Sequence, residues 1–206
     1  MKRFAAVLGI GLLAVGLLAL RPEPVAAAAA VGQPAPDFSL PDVKGGKHAL
    51  SSYKGKFVVL EWVNYDCPFV KKHYGSGNMP KLQKAYTGKG VTWLSINSSA
   101  PGKQGHFAAA EIESRAKGHS AAFSAYLLDT DGSVGRVYGA KTTPHMYIVD
   151  PAGKLVYAGG IDDKPSSDAA DIATAKNFVS AALDEALAGK PVSVATSTPY
   201  GCSVKY

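Results

Sequence analysis

Sulfur is scarce in this chain. Its 206 residues contain two cysteines, Cys67 and Cys202, and three methionines. Neither cysteine lies in the first thirty residues, which excludes a lipoprotein anchor there. The five histidines are scattered, with no cysteine or acid at ligand spacing, so the pattern supplies no metal site and implies no cofactor. No basic run is interleaved with aromatics; lysines and acids alternate, which argues against nucleic-acid binding. No internal repeat occurs. Of the formal +6 charge, Lys2, Arg3, Arg21 and Glu23 account for +2 and leave +4 spread over the rest.

What is present starts with an apolar N-terminus. Lys2 and Arg3 precede the uncharged run Phe4 to Leu20, and Arg21-Pro22-Glu23-Pro24 leads into the alanines Ala26 to Ala30. That order is the order of a secretory signal peptide, with small residues offered for cleavage near Ala28 to Ala30. The competing reading is an uncleaved anchor, because the run approaches the roughly 18–20 apolar residues that a span needs. The alanine tract favours cleavage. The expected organisation is a signal peptide over 1–30, one domain over 31–189 and an extended tail over 190–206 carrying Cys202. Export, to a bacterial periplasm and without stable membrane insertion after cleavage, would bring both cysteines into an oxidising compartment. A Cys67–Cys202 disulfide can form there.

Periodicity and turn residues outline the elements. Lys56 to Val63, Val91 to Asn97, Ala125 to Leu128 and His145 to Val149 are short, β-branched or aromatic-rich runs expected as buried strands. Asp150-Pro-Ala-Gly153 predicts a hairpin turn into Leu155 to Ala158. Helices are expected from Pro68 to about Tyr74, from an Asn78 cap to Tyr86, from His106 to Lys117, briefly before Tyr138, and from Ile172 to Ala188. Strand–helix–strand–helix followed by strand–strand–helix implies a sheet that starts parallel and finishes with an antiparallel hairpin, covered by helices on both faces. Lys190 to Tyr206 is rich in Pro, Ser and Thr and is expected to be flexible.

Cys67 stands where a buried strand meets a helix start, with Pro68 suited to the first helical position because its missing N–H costs nothing there. The thiolate is the nucleophile. At an ordinary pKa of about 8.5, only about 3% of a thiol is ionised at pH 7, and a drop of two units raises that to roughly three quarters. A sulfur at the exposed amino end of a helix would gain from the free N–H groups and from Lys71, Lys72 and His73. The alternative is a buried structural cysteine. Glu61 interrupts the apolar strand, and residues 61, 63, 65 and 67 share parity, so an extended chain aims Glu61 to the cysteine side. Buried, it would be a proton acceptor with a raised pKa; at a strand margin it would face solvent. His145 is expected to be an ordinary, satisfied histidine.

These units resemble the thioredoxin fold. The motifs are the strand–Cys-Pro–helix unit, Tyr138-Gly-Ala-Lys-Thr-Thr-Pro144 before a strand, and an Asp-x-x-Gly-Lys hairpin. Gly32-Gln-Pro-Ala-Pro-Asp-Phe-Ser-Leu and Leu50-Ser-Ser-Tyr-Lys-Gly-Lys resemble the opening of its redoxin branch, which includes the peroxiredoxin (AhpC/TSA) proteins. The likeness covers nearly all of residues 32–206. It implies an α/β three-layer sandwich with a mixed central sheet and an N-terminal redoxin extension. It further implies a cis Thr143–Pro144 bond facing Cys67, with Thr143 presenting backbone groups to a bound thiol or disulfide; the residues alone favour trans. Two departures stand out. The second cysteine of C-x-x-C is Val70, and the proline and Thr/Ser that precede a peroxidatic cysteine by seven and three are Leu60 and Asn64.

The leading expectation is a thiol-dependent oxidoreductase of antioxidant, peroxiredoxin-like type. Cys67 is the nucleophile, Glu61 the candidate proton acceptor, and Asn64, Pro68, Thr143 and Pro144 the candidate substrate contacts. Its substrate is a peroxide or a disulfide, and its reductant an external, thioredoxin-like thiol. Cys202 could resolve the intermediate; about twelve extended residues beyond Lys190 reach roughly 40 Å. Alternatively it forms a static disulfide, which in the chain-entropy account stabilises by about 4–5 kcal/mol. Two other readings remain open: a disulfide oxidoreductase or isomerase for exported proteins, and a non-catalytic accessory domain with a structural Cys67–Cys202 bridge.

Overall fold

A computed structural model describes residue 1 and residues 28–206. The expected signal sequence therefore lies almost wholly outside the described residues. No helix among the described residues is long and apolar enough to cross a membrane.

Strands β1 (Ser39–Pro41) and β2 (Lys47–Ala49) pair antiparallel around a turn in which Asp42 Oδ1 accepts the Lys44 and Gly46 amides at 2.8 and 2.7 Å. Next come β3 (Val58–Trp62), α1 (Pro68–Gly75), α2 (Asn78–Thr87), β4 (Thr92–Asn97), α3 (Ala109–Gly118), β5 (Ala125–Leu128) and α4 (Ser133–Tyr138). The chain finishes with β6 (Thr142–Thr143), β7 (His145–Val149), β8 (Leu155–Gly159), α5 (Phe178–Leu187) and β9 (Cys202–Ser203).

The central sheet has the order β5-β4-β3-β7-β8, with β3, β4 and β5 parallel and β7 antiparallel to both β3 and β8. This is the parallel start and antiparallel finish that the element order requires. Alternation along β3 divides the core. Val59 joins Met79, Tyr86, Ile112, Val179 and Leu183 under α2, α3 and α5. Val58, Leu60 and Trp62 turn to the other face, where Leu40, Leu50 and Tyr138 of the N-terminal extension and α4 cover them. Burying each such Val or Leu side chain contributes about 1.5–3 kcal/mol.

Four expectations need correction. The last helix begins at Phe178, not Ile172: Ala169–Thr174 is a separate 3-10 turn, and Asn177 Oδ1 caps α5 by accepting the Ser180 amide at 2.9 Å. The third helix begins at Ala109 rather than His106. Asn78 does not cap α2; Gly77 occupies that position at φ 75°, a left-handed conformation that glycine adopts without penalty, and Asn78 is already helical. The tail is extended but not loose. Ala158 donates to the Ala195 carbonyl at 3.1 Å and Ser197 to the Ala158 carbonyl at 3.3 Å, so the segment runs alongside β8. It then crosses the Thr143–Pro144 loop and ends with Tyr206 Oη donating to the Ala140 carbonyl at 2.8 Å.

Candidate active site

Cys67 is the N-cap of α1, with Pro68 at the first helical position as the sequence implies. Asn64 builds the turn that places it: its backbone carbonyl accepts the Cys67 amide at 3.0 Å, and its Oδ1 accepts the Asp66 amide at 2.9 Å. Its Nδ2 donates to the Gln104 carbonyl at 3.3 Å, and Gly105 packs against the amide, where a side chain would collide. The Asn64 side chain is thus occupied as scaffolding.

The sulfur is not exposed. Cys67 is completely buried, contrary to the expectation of an open helix end, because the Thr143–Pro144 loop and the tail close over it. The Thr143–Pro144 peptide is cis. Cys67 Sγ donates to the Thr143 carbonyl at 3.1 Å, and Thr143 is the antiparallel register partner of Cys202. Both cysteines are free thiols. Burial pushes the Cys67 thiol up, but hydrogen bonds from the Cys202 side chain and amide, the Val70 amide and Thr143 outweigh it and hold it below its ordinary value. Val70 therefore contributes a backbone N–H where a second cysteine would stand. Cys202 is pushed the other way, to about 11, by burial and by hydrogen bonding to and charge on Cys67. Of the two sulfurs, Cys67 is therefore the more readily ionised.

Glu61 is buried on the α1/α2 side of β3, as parity implies, but in a closed cage. Tyr74 Oη and Trp93 Nε1 donate to it at 2.7 Å each, Gln83 Nε2 and Ser95 Oγ at 3.0 Å each. Burial raises its pKa against these four donors. No hydrogen bond joins it to Cys67. His145 is buried and accepts the Lys141 amide at 3.3 Å, and Pro68 is exposed.

Thr143, Pro144, Cys67 and Cys202 converge, then, while Glu61 and Asn64 support the scaffold around them. Two residues beside His73 at this site, Tyr200 and Asp162, gave no sequence signal strong enough to find. Tyr200 Oη donates to Asp162 Oδ1 at 2.6 Å and lies 3.0 Å from His73 Nε2. Burial holds His73 down to about 4, so it is neutral at pH 7 and adds no charge near Cys67, correcting that expectation. The only hint in the sequence was Pro199-Tyr-Gly-Cys202, an aromatic and a glycine beside the tail cysteine.

A profile of the AhpC/TSA family matches residues 31–158, more than half of the chain. The chain belongs to the AhpC/TSA family. Its fold is thioredoxin-like, as the mixed five-stranded sheet and flanking helices require. Thiol-disulfide oxidoreductase ResA of Geobacillus thermodenitrificans is 30% identical over 128 residues, covering 62% of this chain and 68% of that protein. An uncharacterized conserved protein of Geobacillus kaustophilus superposes with a TM-score of 0.72 at 30% identity, covering 88% of this chain and 94% of its own. A hypothetical protein of Sinorhizobium meliloti does so with a TM-score of 0.73 at 27% identity, over 88% and 97% of the two chains. Within this AhpC/TSA chain the profile ends at Tyr157-Ala158, so the docked tail with Cys202 lies beyond the matched segment.

Proposed function

We propose that this protein is an exported thiol-dependent oxidoreductase whose working pair is Cys67 and Cys202, with a small peroxide as the preferred oxidant. The observation that carries the reading is the placement of Cys202 against Thr143, whose carbonyl accepts the Cys67 thiol at 3.1 Å. In the first step the Cys67 thiolate attacks the distal peroxide oxygen. An S–O bond forms, the O–O bond breaks, and the leaving alkoxide or hydroxide takes up a proton. In the second, Cys202 attacks the sulfenic sulfur; the S–S bond forms and the thiol proton leaves with the hydroxyl as water. An external dithiol returns the pair to the reduced state.

Thr143 contributes more than backbone groups. Its Oγ1 is buried without a partner in the dithiol form, and its side chain is the last of the contributions that lower the Cys67 thiol pKa, so the hydroxyl is free to donate once Cys67 ionises. This hydroxyl supplies, from across the site, the donor that Asn64 does not supply three residues before the cysteine. A small oxidant suits the closed geometry, because the tail already occupies the edge of β6.

The test is sulfenic acid formation in Cys202→Ser under dilute peroxide, followed by a dimedone-type probe. A labelled Cys67 and peroxide consumption that depends on it are expected. Absence of both would end the peroxidase reading. The second reading, disulfide exchange, is favoured by the name of the relative ResA. In it Cys67 attacks a substrate disulfide, one thiolate leaves, and Cys202 attacks the mixed disulfide to release the other. Reduction of a model disulfide that requires Cys67, with peroxide turnover at background, would favour it.

A further inference from the structure

We propose that Tyr200 is the positioning residue of the cysteine pair: it locks the tail to the helix that carries Cys67 and so fixes how often Cys202 meets it. The inference rests on the dithiol–disulfide reading above, for either oxidant.

Three residues of α1 hold this one side chain. The Phe69 ring meets Tyr200 edge-on at 5.9 Å, Lys72 Nζ lies 5.5 Å from the phenol ring, and His73 Nε2 lies 3.0 Å from its hydroxyl. The hydrogen-bond directions are set by the neighbours. The Asn78 amide reaches His73 Nδ1 at 2.8 Å as donor, which leaves the proton of the neutral ring on Nε2. His73 therefore donates to the Tyr200 oxygen, and Tyr200 donates to the Asp162 carboxylate at 2.6 Å. The donors Asn78, His73 and Tyr200 run in one consistent direction to the acceptor Asp162, and all four side chains are at least half-buried. Lys72 adds a second tie, donating to the Lys164 carbonyl at 2.9 Å.

The lever between this lock and the sulfur is short. Gly201 alone separates Tyr200 from Cys202, and it lies so close to the Thr143 carbonyl that no side chain fits between them. On the helix side Cys67 is the N-cap of the same α1. Both sulfurs are thus held from one helix, and the intramolecular equilibrium depends on the effective concentration that this arrangement gives Cys202.

The experiment measures the equilibrium of the pair in dithiothreitol redox buffers, where breaking the Cys67–Cys202 bond takes two electrons from the buffer dithiol. Tyr200→Phe, which retains the ring, is expected to weaken disulfide formation about tenfold, equivalent to a potential about 30 mV less negative. Asp162→Asn should move it the same way. In a Cys202→Ala background, Tyr200→Phe should raise the Cys67 alkylation rate, because the loosened tail uncovers a sulfur that is otherwise buried. An unchanged equilibrium constant in folded Tyr200→Phe would overturn the inference, as would an unchanged alkylation rate in the Cys202→Ala background; should Tyr200→Phe not fold, Asp162→Asn decides alone. A wild-type protein that forms no intramolecular disulfide would instead overturn the reading beneath it.

Discussion

Thr143 and Cys202 face one another as register partners of a two-residue ladder, and the Thr143 carbonyl also accepts the Cys67 thiol. A single loop residue thus touches both sulfur-bearing positions, one through its ladder and one through its oxygen. The loop and the tail form one site.

Replacing Thr143 by Val separates stability from reactivity. The Oγ1 has no partner in the dithiol form, so its removal should leave the unfolding free energy unchanged or raise it by up to about 1 kcal/mol. Losing a donor to the thiolate should slow the Cys67 reaction with peroxide about tenfold to a hundredfold. Urea unfolding and stopped-flow peroxide kinetics on the same preparation check both halves.

Gly201→Ala should free the tail. Gly201 has φ 135° and its added methyl would meet the Thr143 carbonyl, so the ladder must open. Cys202, held at about 11 while docked, would return towards the ordinary thiol value of about 8.5. Its alkylation at pH 8 should then rise about a hundredfold. Mass-resolved labelling of the two cysteines measures it, and an unaltered Cys202 rate would contradict the packing.

Glu61 should make stability fall as pH rises above the ordinary carboxyl value. Its folded pKa is raised by burial, so between the unfolded value and the raised one the native state holds more protons, and stability falls as pH rises through that window. Glu61→Gln should flatten this slope. Glu61→Ala, which orphans the Tyr74, Trp93, Gln83 and Ser95 donors, should cost about 3–5 kcal/mol. Thermal melts across pH give both values.

His73 should act with the opposite sign. Its folded value of about 4 lies below the unfolded one of about 6.5, so its contribution is fully present above pH 6.5 and is lost as pH falls towards 4. The loss amounts to about 3 kcal/mol. His145, also held down to about 4 by burial, adds a slope of the same sign, so the difference between wild type and His73→Gln is the quantity to follow.

Much of this was legible in the sequence because it is local. The strand over Ala125–Leu128 and the strand over His145–Val149 follow from β-branched and aromatic runs between turn residues, and both have the expected bounds. Pro68 announced the helix start and the parity of Glu61 announced its face. What escaped was set by distant partners. The α5 start depends on Asn177, whose neighbourhood includes a bridge to Asp162. The closure over Cys67 depends on a tail more than 120 positions away, and a Pro-, Ser- and Thr-rich composition carries no signal that Tyr200 has a waiting carboxylate and imidazole. The Cys67 environment was misjudged for that reason: helix-end chemistry is local, while burial by the tail is not.

The strap beside β8 has one more consequence. By bonding to both backbone groups of Ala158 it caps the outer border of the sheet, which would otherwise offer free amides and carbonyls to a neighbouring molecule. Anything that peels the chain end away therefore uncovers a template for intermolecular strand addition.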